Sequence, residues 1–467
     1  MKQVALALIT LLIASCAKTL TSEEQAWKQA EEVLKHIQEP VFPELRISVL
    51  EYGVVEGIED YSNQGINQAI LACSEQGGGT VVIPTGVFYT GPITMQSNVC
   101  LHLEDSAILR FSTHPSDYEP FVLSRWEGWD CINFKPLIYG YKLENVAITG
   151  NGILDGQASD ENWWPWKSRP EYGWKPGMIS QEWNGENVAG RNRLAQMEAD
   201  EWPIEERIMT QEDRLRPPFI QFYSCKNVLI SDVTIERAPF WLIHPLLSEN
   251  IIVRGVTMES HGPNNDGCDP ESCKNVLIED CFFNTGDDCI AIKSGRNNDG
   301  RRWNIPSENI IVRNCTMKNG HGGVVIGSEI TGGCRNVWAE NCTMDSPELD
   351  RVLRIKSNAI RGGIIENVYM RNIEVGECKE AIFRVEMKYE KVMEGPHMPE
   401  IRNVYLTNVR SNKSRYGVWI DGFEEVISVW NVQVRDCAFN NVDKGNLIVG
   451  AEAVSFEQVY INDSMIE

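Results

Sequence analysis

Residues 275–283 (NVLIEDCFF), 309–317 (NIIVRNCTM) and 336–344 (NVWAENCTM) share one pattern. An asparagine is followed by three apolar residues, and further apolar or small side chains return at the sixth and eighth positions. The Asn-led core also occurs at Asn227, Asn250, Asn367 and Asn403, so that seven copies follow one another at intervals of 23, 25, 34, 27, 31 and 36 residues. The sixth position carries Val233, Val256, Cys281, Cys315, Cys342, Ile373 and Val409. Alternation with period two marks short strands with one buried face. Units of 20 to 50 residues built from such strands bury that face only by stacking on their neighbours.

The architecture that satisfies this is all-β, a single-stranded right-handed parallel β-helix with equivalent residues of successive coils about 4.8 Å apart. Its asparagines would form a ladder at one turn. Cys225, Cys273 and Cys334 precede the asparagine by two residues and Cys281, Cys315 and Cys342 share the sixth position, so both sets are expected to stack as small reduced core side chains. The spacing of leucine-rich repeats is missing.

Residues 21–38 offer Ser22 and Gln25 as a capping box, with Trp27, Ala30, Leu34 and Ile37 on one face of a short helix. Upstream, Lys2, the apolar run from Val4 to Ile13 and the ending Ile13-Ala14-Ser15-Cys16 have the layout of an export signal, and the ending resembles a bacterial lipoprotein site at which Cys16 becomes lipidated. The domain reading is therefore 1–16 as a lipoprotein-type signal, 17–45 as a helical spacer or cap, and 46–467 as the β-helix. Residues 157–216 interrupt the repeat. They hold Trp163, Trp164, Trp166, Trp174, Trp183 and Trp202, the content expected of a packed wall beside a site.

The composition, 42% apolar and 23% charged over 467 residues, fits a folded protein with a sizeable core. A formal charge of -23 argues against nucleic acid, which is bound by neutralising phosphates with Lys and Arg. The export signal places the protein in the periplasm or at the cell surface, with membrane contact only through the lipid.

Register also gathers chemistry. Asp287 lies twelve residues after Asn275, and His321 twelve after Asn309. Equal offsets in successive coils mean spatial neighbours. Asp266 lies 21 residues before Asp287, about one coil upstream, and Arg354 and Lys356 come about one coil after His321. Asp266, Asp287, Asp288, His321, Arg354 and Lys356 are thus expected on one strip, with Gly286 allowing the kink that lets adjacent aspartates share it. Crowded carboxylates push their pKa values apart, which suits an acid and a base flanking a glycosidic bond. Calcium is the alternative for three aspartates, but Arg354, Lys356 and His321 would compete with the ion.

These motifs resemble glycoside hydrolase family 28, the polygalacturonases and their relatives. The stretches 77–109, 153–157 with Trp163-Trp164, and 238–245 resemble family segments. Four signatures follow in order: NND at 264–266, with Asn265 where the family has Thr, GDD at 286–288, GHG at 320–322 and RIK at 354–356. The resemblance implies that Asp287 is the general acid, that Asp266 with Asp288 activates water in an inverting displacement, and that His321 tunes the acid. Carboxyl groups about 6.5 to 9.5 Å apart would go with that. Arg354 and Lys356 would grip a uronate carboxylate together with Asn264, Lys293, Arg296 and Arg302; Arg301, Arg384 and Lys388 are further cations nearby. His244, His261 and Trp303 are either site or packing residues. The implied substrate is pectin or an oligogalacturonide, with no cofactor and no metal. A wall built by the insert would favour exo-cleavage. Rhamnogalacturonan or a substituted pectin, a lyase reaction, and a non-catalytic polysaccharide-binding β-helix are the other readings.

Overall fold

The computed structural model describes residues 22–61 and 64–466. The expected signal at 1–16 and the lipidation of Cys16 lie outside the described residues. The coils through the middle of the chain present three strand faces, the first two of which merge into single strands at Ile364–Glu377 and Glu400–Lys413. The strand Lys274–Glu279 pairs in parallel with Glu249–Arg254 on one side and Ser307–Arg313 on the other. Phe282–Thr285 pairs with Thr257–Ser260 and Thr316–Met317. Ile290–Ile292 pairs with Val324–Ile326, which pairs with Arg351–Lys356. The third face continues down to Ile93–Thr94 through single bridges at Cys268 and Glu271. Right-twisted strands joined this way wind into a right-handed parallel β-helix, the expected fold.

Register follows the repeat. Val276 sits on Ile310 and Ile278 on Val312, all with no exposed surface. The asparagine ladder is longer than seven rungs: it runs unbroken from Asn98 and Asn145 through the seven to Asn431, each side-chain N–H donating to the amide oxygen of the preceding rung at 2.7 to 3.3 Å. Every rung has φ between 53° and 61°. Asparagine tolerates this left-handed conformation better than other side chains with a Cβ, so one residue supplies both the turn and the rung. All thirteen cysteines of the described residues are unpaired and buried.

Position two after each asparagine points outward yet is apolar: Leu229, Ile252, Leu277, Ile311, Trp338, Tyr369 and Tyr405. Helix α1 (Ser22–His36) explains it. Instead of acting as a spacer or closing an end, α1 lies along the outside of the solenoid, with Ala26, Trp27 and Ala30 buried against this column. Glu23 accepts from Thr407 at one end, and Glu39, just past the helix, pairs with Arg254 at the other. A fifteen-residue helix is about 22 Å long, which matches four to five coil spacings of about 4.8 Å. Arg371 stacks 3.7 Å over the Trp27 ring. The N-terminal end is closed by a second helix, α2 (Gly65–Glu75), whose Ile66, Ala69, Ile70 and Cys73 enter the main core. No helix among the described residues is long and apolar enough to cross a membrane.

Candidate active site

One turn of the solenoid recurs just before the third face, and two coils place acids there while a third places an imidazole. Asp266 follows Thr257–Ser260; Asp287 and Asp288 lie between Phe282–Thr285 and Ile290–Ile292; His321 lies between Thr316–Met317 and Val324–Ile326. The adjacent aspartates are in a turn, so strand alternation does not force them apart. Gly286 is needed for close approach, since a Cβ there would lie 2.3 Å from the Gly262 carbonyl oxygen. Asn265, buried, accepts from Ser260 Oγ at 2.6 Å and the Gly262 N–H at 2.8 Å, and donates to the Ala238 and Phe240 carbonyls. These four bonds fix the loop that carries Asp266.

Each aspartate meets its own cation. His321 Nδ1 is 2.9 Å from Asp287 Oδ1, Lys356 Nζ is 2.8 Å from Asp288 Oδ2, and Lys293 Nζ is 3.5 Å from Asp266 Oδ2. One oxygen of each of the three carboxyl groups lies within 4.8 Å of the other two. These nearest oxygens are closer than the expected spacing of about 6.5 to 9.5 Å. A single water still fits, since two hydrogen bonds of about 2.8 Å reach across about 5.6 Å. Asp266 Oδ1 and Asp288 Oδ1 are buried and have no protein partner. A hard cation would have to displace the two lysines and the imidazole.

Burial raises Asp266 well above the usual carboxylate range, and Asp269 and Asp287 add to the effect. Asp287 goes the other way. Burial opposes its ionisation, but the His321 cation and its hydrogen bond, with Lys356 and Lys293, hold it below that range. His321 is in turn pushed up to about 9 by Asp287. The proton shared across the Asp287–His321 contact is therefore favoured on the imidazole, while burial favours the neutral form of Asp266 and Lys293 opposes that shift.

The other expected binders divide. Lys293, Arg296, Lys356 and Asn264 line the same cavity of about 420 Å³. Asn264 Oδ1 accepts from buried Arg216 at 2.8 Å. Arg354, on the same strand as Lys356, is buried and paired with Glu386 at 2.8 Å. Arg302 points elsewhere: it pairs with buried Asp130, which also accepts from Trp303 at 2.7 Å and from Arg125. Arg301 donates to the Ile360 carbonyl, Arg384 stacks over Trp419 and Lys388 pairs with Asp421. His244 is fully buried and bonded to Glu271, and His261 is exposed.

Sequence reasoning missed Trp241, Glu127, Arg191, Glu329, Tyr389 and Glu390, which also line the cavity. Trp241 was within reach: it stands two residues before Ile243, which bridges Cys268, and so sits one coil below Asp266. Its ring lies 4.5 Å under Lys293 Nζ. The rest come from outside the repeat. Glu127 tops the hairpin of Val122–Trp126 and Trp129–Asn133, Glu390 is on the loop after Ala381–Glu386, and Arg191 is in the insert with Lys167, Arg169 and Glu182. Trp163 and Trp166 of the insert are core and Trp164 donates to the Ala238 carbonyl, so these three seat the insert, whereas Trp183 and Trp202 are exposed and Lys167, Arg169, Glu182 and Arg191 line the cavity.

The profile of the glycosyl hydrolases family 28 matches residues 178–440. Among solved structures, a hyperthermoactive exopolygalacturonase from Thermotoga maritima is 40% identical with a TM-score of 0.90, covering 95% of this chain and 97% of that one. An exopolygalacturonase of the same family from Yersinia enterocolitica shares the fold at 21% identity and a TM-score of 0.72, covering 90% and 76%. Among curated relatives, a probable polygalacturonase from Vitis vinifera is 28% identical over 72% of this chain, and an exo-poly-alpha-D-galacturonosidase from Dickeya chrysanthemi 26% identical over 73%. The chain spans about three fifths of the length of these two, 62% and 57%. With the profile and the Thermotoga likeness running along most of its length, the chain belongs to glycosyl hydrolases family 28.

Proposed function

We propose that this protein hydrolyses α-1,4-galacturonosidic bonds of pectic polysaccharide from a chain end, with inversion. The observation that carries the reading is one cavity lined by Asp266, Asp287, Asp288, Lys293 and Lys356, with His321 bonded to Asp287 beside it. Its relatives in Thermotoga maritima and Dickeya chrysanthemi are named as exo-acting enzymes on such polymers, and the ion pair from Arg191 to Glu127 ties the insert to the Val122–Asn133 hairpin at one side of the cavity. Asp287 is the acid in this scheme and His321 stores its proton. A bound uronate adds negative charge beside Asp287, raises its proton affinity and draws the proton from Nδ1 across the 2.9 Å contact. The leaving oxygen takes that proton as the glycosidic bond breaks. Asp288, held by Lys356, accepts a proton from the water that attacks the anomeric carbon, and Asp266 orients that water.

Chromatography of polygalacturonate digests tests this. Monogalacturonate from the earliest time points is expected, with a β-configured new reducing end by NMR. A ladder of oligomers removes the exo assignment, an α product removes inversion, and an unsaturated ultraviolet-absorbing product means elimination. Asp287→Asn is expected to lower turnover by about a thousandfold or more with the fold intact. A panel including rhamnogalacturonan and substituted oligomers fixes the polymer. Export with a lipid on Cys16 is part of the proposal; Cys16→Ser is expected to move the protein from the membrane fraction to the soluble one.

A further inference from the structure

Three guanidinium groups converge on one carboxylate beside the aspartates. Glu390 accepts from Arg191 at 3.2 Å, from Arg296 at 3.3 Å and from Arg361 at 3.1 Å. None of the three depends on Glu390 for its place. Arg191 is fixed by Glu127 at 2.9 Å. Arg296 stacks 4.0 Å over Trp129. Arg361 donates to the Ser328 carbonyl at 3.0 Å and to Asn297 at 3.2 Å. Its occupant is held far less firmly. Glu390 has φ 56° and Lys391 φ 61°, left-handed values disfavoured for residues with a Cβ, and of residues 390–398 only 392 and 397 are even half-buried. Glu127, Glu329 and Glu390 balance the three arginines, so withdrawing Glu390 leaves one positive charge in excess, the charge of a single incoming carboxylate. Glu329 links the group to the reaction centre: it is 3.7 Å from Arg296 and 3.4 Å from Lys293, which reaches Asp266.

We propose that the three arginines form a preassembled socket for the carboxylate of a sugar acid, and that Glu390 is an internal stand-in displaced when that sugar binds. The inference rests on the galacturonan reading of the same cavity. Arg354 and Lys356, the cations the family signature points to, are already committed to Glu386 and Asp288. The socket differs in that its counter-ion sits on a loop able to leave. Bidentate guanidinium geometry suits a carboxylate, and a site occupied nine-tenths of the time by its own chain loses about tenfold in apparent affinity.

Titration calorimetry with galacturonate and with galactose, alongside kinetics on trigalacturonate, tests this in the full-length protein. Glu390→Gln is expected to bind galacturonate about tenfold more tightly, to leave galactose binding unchanged, and to lower KM with kcat within twofold. Arg361→Met, which removes one arm and keeps Glu390, is expected to raise KM at least fivefold without altering the product. Unchanged or weaker galacturonate binding by Glu390→Gln overturns the stand-in role. Oligomer ladders from that variant would instead make Glu390 a fixed piece of the wall, which also overturns it. A wild-type protein that neither cleaves polygalacturonate nor binds galacturonate removes the underlying reading as well, whereas wild-type cleavage with an indifferent Glu390→Gln removes only the socket.

Discussion

The proton balance of the Asp287–His321 pair can be measured without substrate. The ring nitrogen and the carboxylate are 2.9 Å apart, and the pairing takes His321 from an ordinary imidazole value near about 6.5 up to about 9. Removing the charge by Asp287→Asn should return the midpoint to roughly 6.5. The chain has seven histidines, few enough for imidazole NMR spectra across the pH range, with His321→Gln identifying the signal. Because His321 is raised and Asp287 is lowered, the pair's contribution to stability is complete between about pH 4 and about pH 6.5, is lost as pH rises through about 9, and declines again in acid. With 53% of the His321 side chain exposed, solvent screening keeps that contribution to about 1 kcal/mol or less. Catalysis should show the same limit: the alkaline limb of kcat/KM falls near pH 9 in the wild type. A wild-type midpoint near about 6.5 would refute the reasoning, since Asp287 would then be unpaired and would have to hold the acid proton alone.

Three further outcomes follow from the packing. Trp27→Ala removes the anchor of α1 from the outer column and is expected to cost about 3–5 kcal/mol in urea unfolding while leaving kcat unchanged. Gly286→Ala forces a Cβ to within 2.3 Å of the Gly262 carbonyl oxygen, which displaces the Asp266 loop; turnover should fall by about a hundredfold with a small change in the unfolding midpoint. Arg302→Ala should leave KM for trigalacturonate within twofold, because its guanidinium faces Asp130 and not the cavity; a large rise in KM would return Arg302 to the binding set.

What could be read in advance was whatever repeats. The Asn column, the inward strands and the placing of Asp287 beside His321 need only equal offsets. Trp241 and the extra ladder residues Asn98, Asn145 and Asn431 obey the same rule and were open to it. The apolar second position was equally visible, but its meaning depended on α1, whose amphipathic pattern does not say which surface it meets. Glu127, Arg191 and Glu390 had no register at all. They are brought together by loops 64 and 199 residues apart in sequence, so neither the ion-paired wall nor the arginine socket could be inferred from spacing.

The same register explains why the cations sit where they do. Asp266 and Asp288 occupy equivalent places on adjacent coils, two residues before the bridge of Cys268 to Ile290. Carboxylates stacked at about 4.8 Å repel unless each has a counter-charge. Five residues further along, the equivalent column reads Lys293, Gly327, Lys356, so the two lysines are two coils apart and do not crowd each other. Lys293 serves the lower aspartate and Lys356 the upper. The glycine between them is itself required, with φ 101° and a Cβ position only 2.0 Å from the Lys356 carbonyl oxygen. A side chain at 327 would therefore push Lys356 off Asp288 and leave a buried carboxyl group without its partner, and turnover should fall even though every family signature residue remained in place.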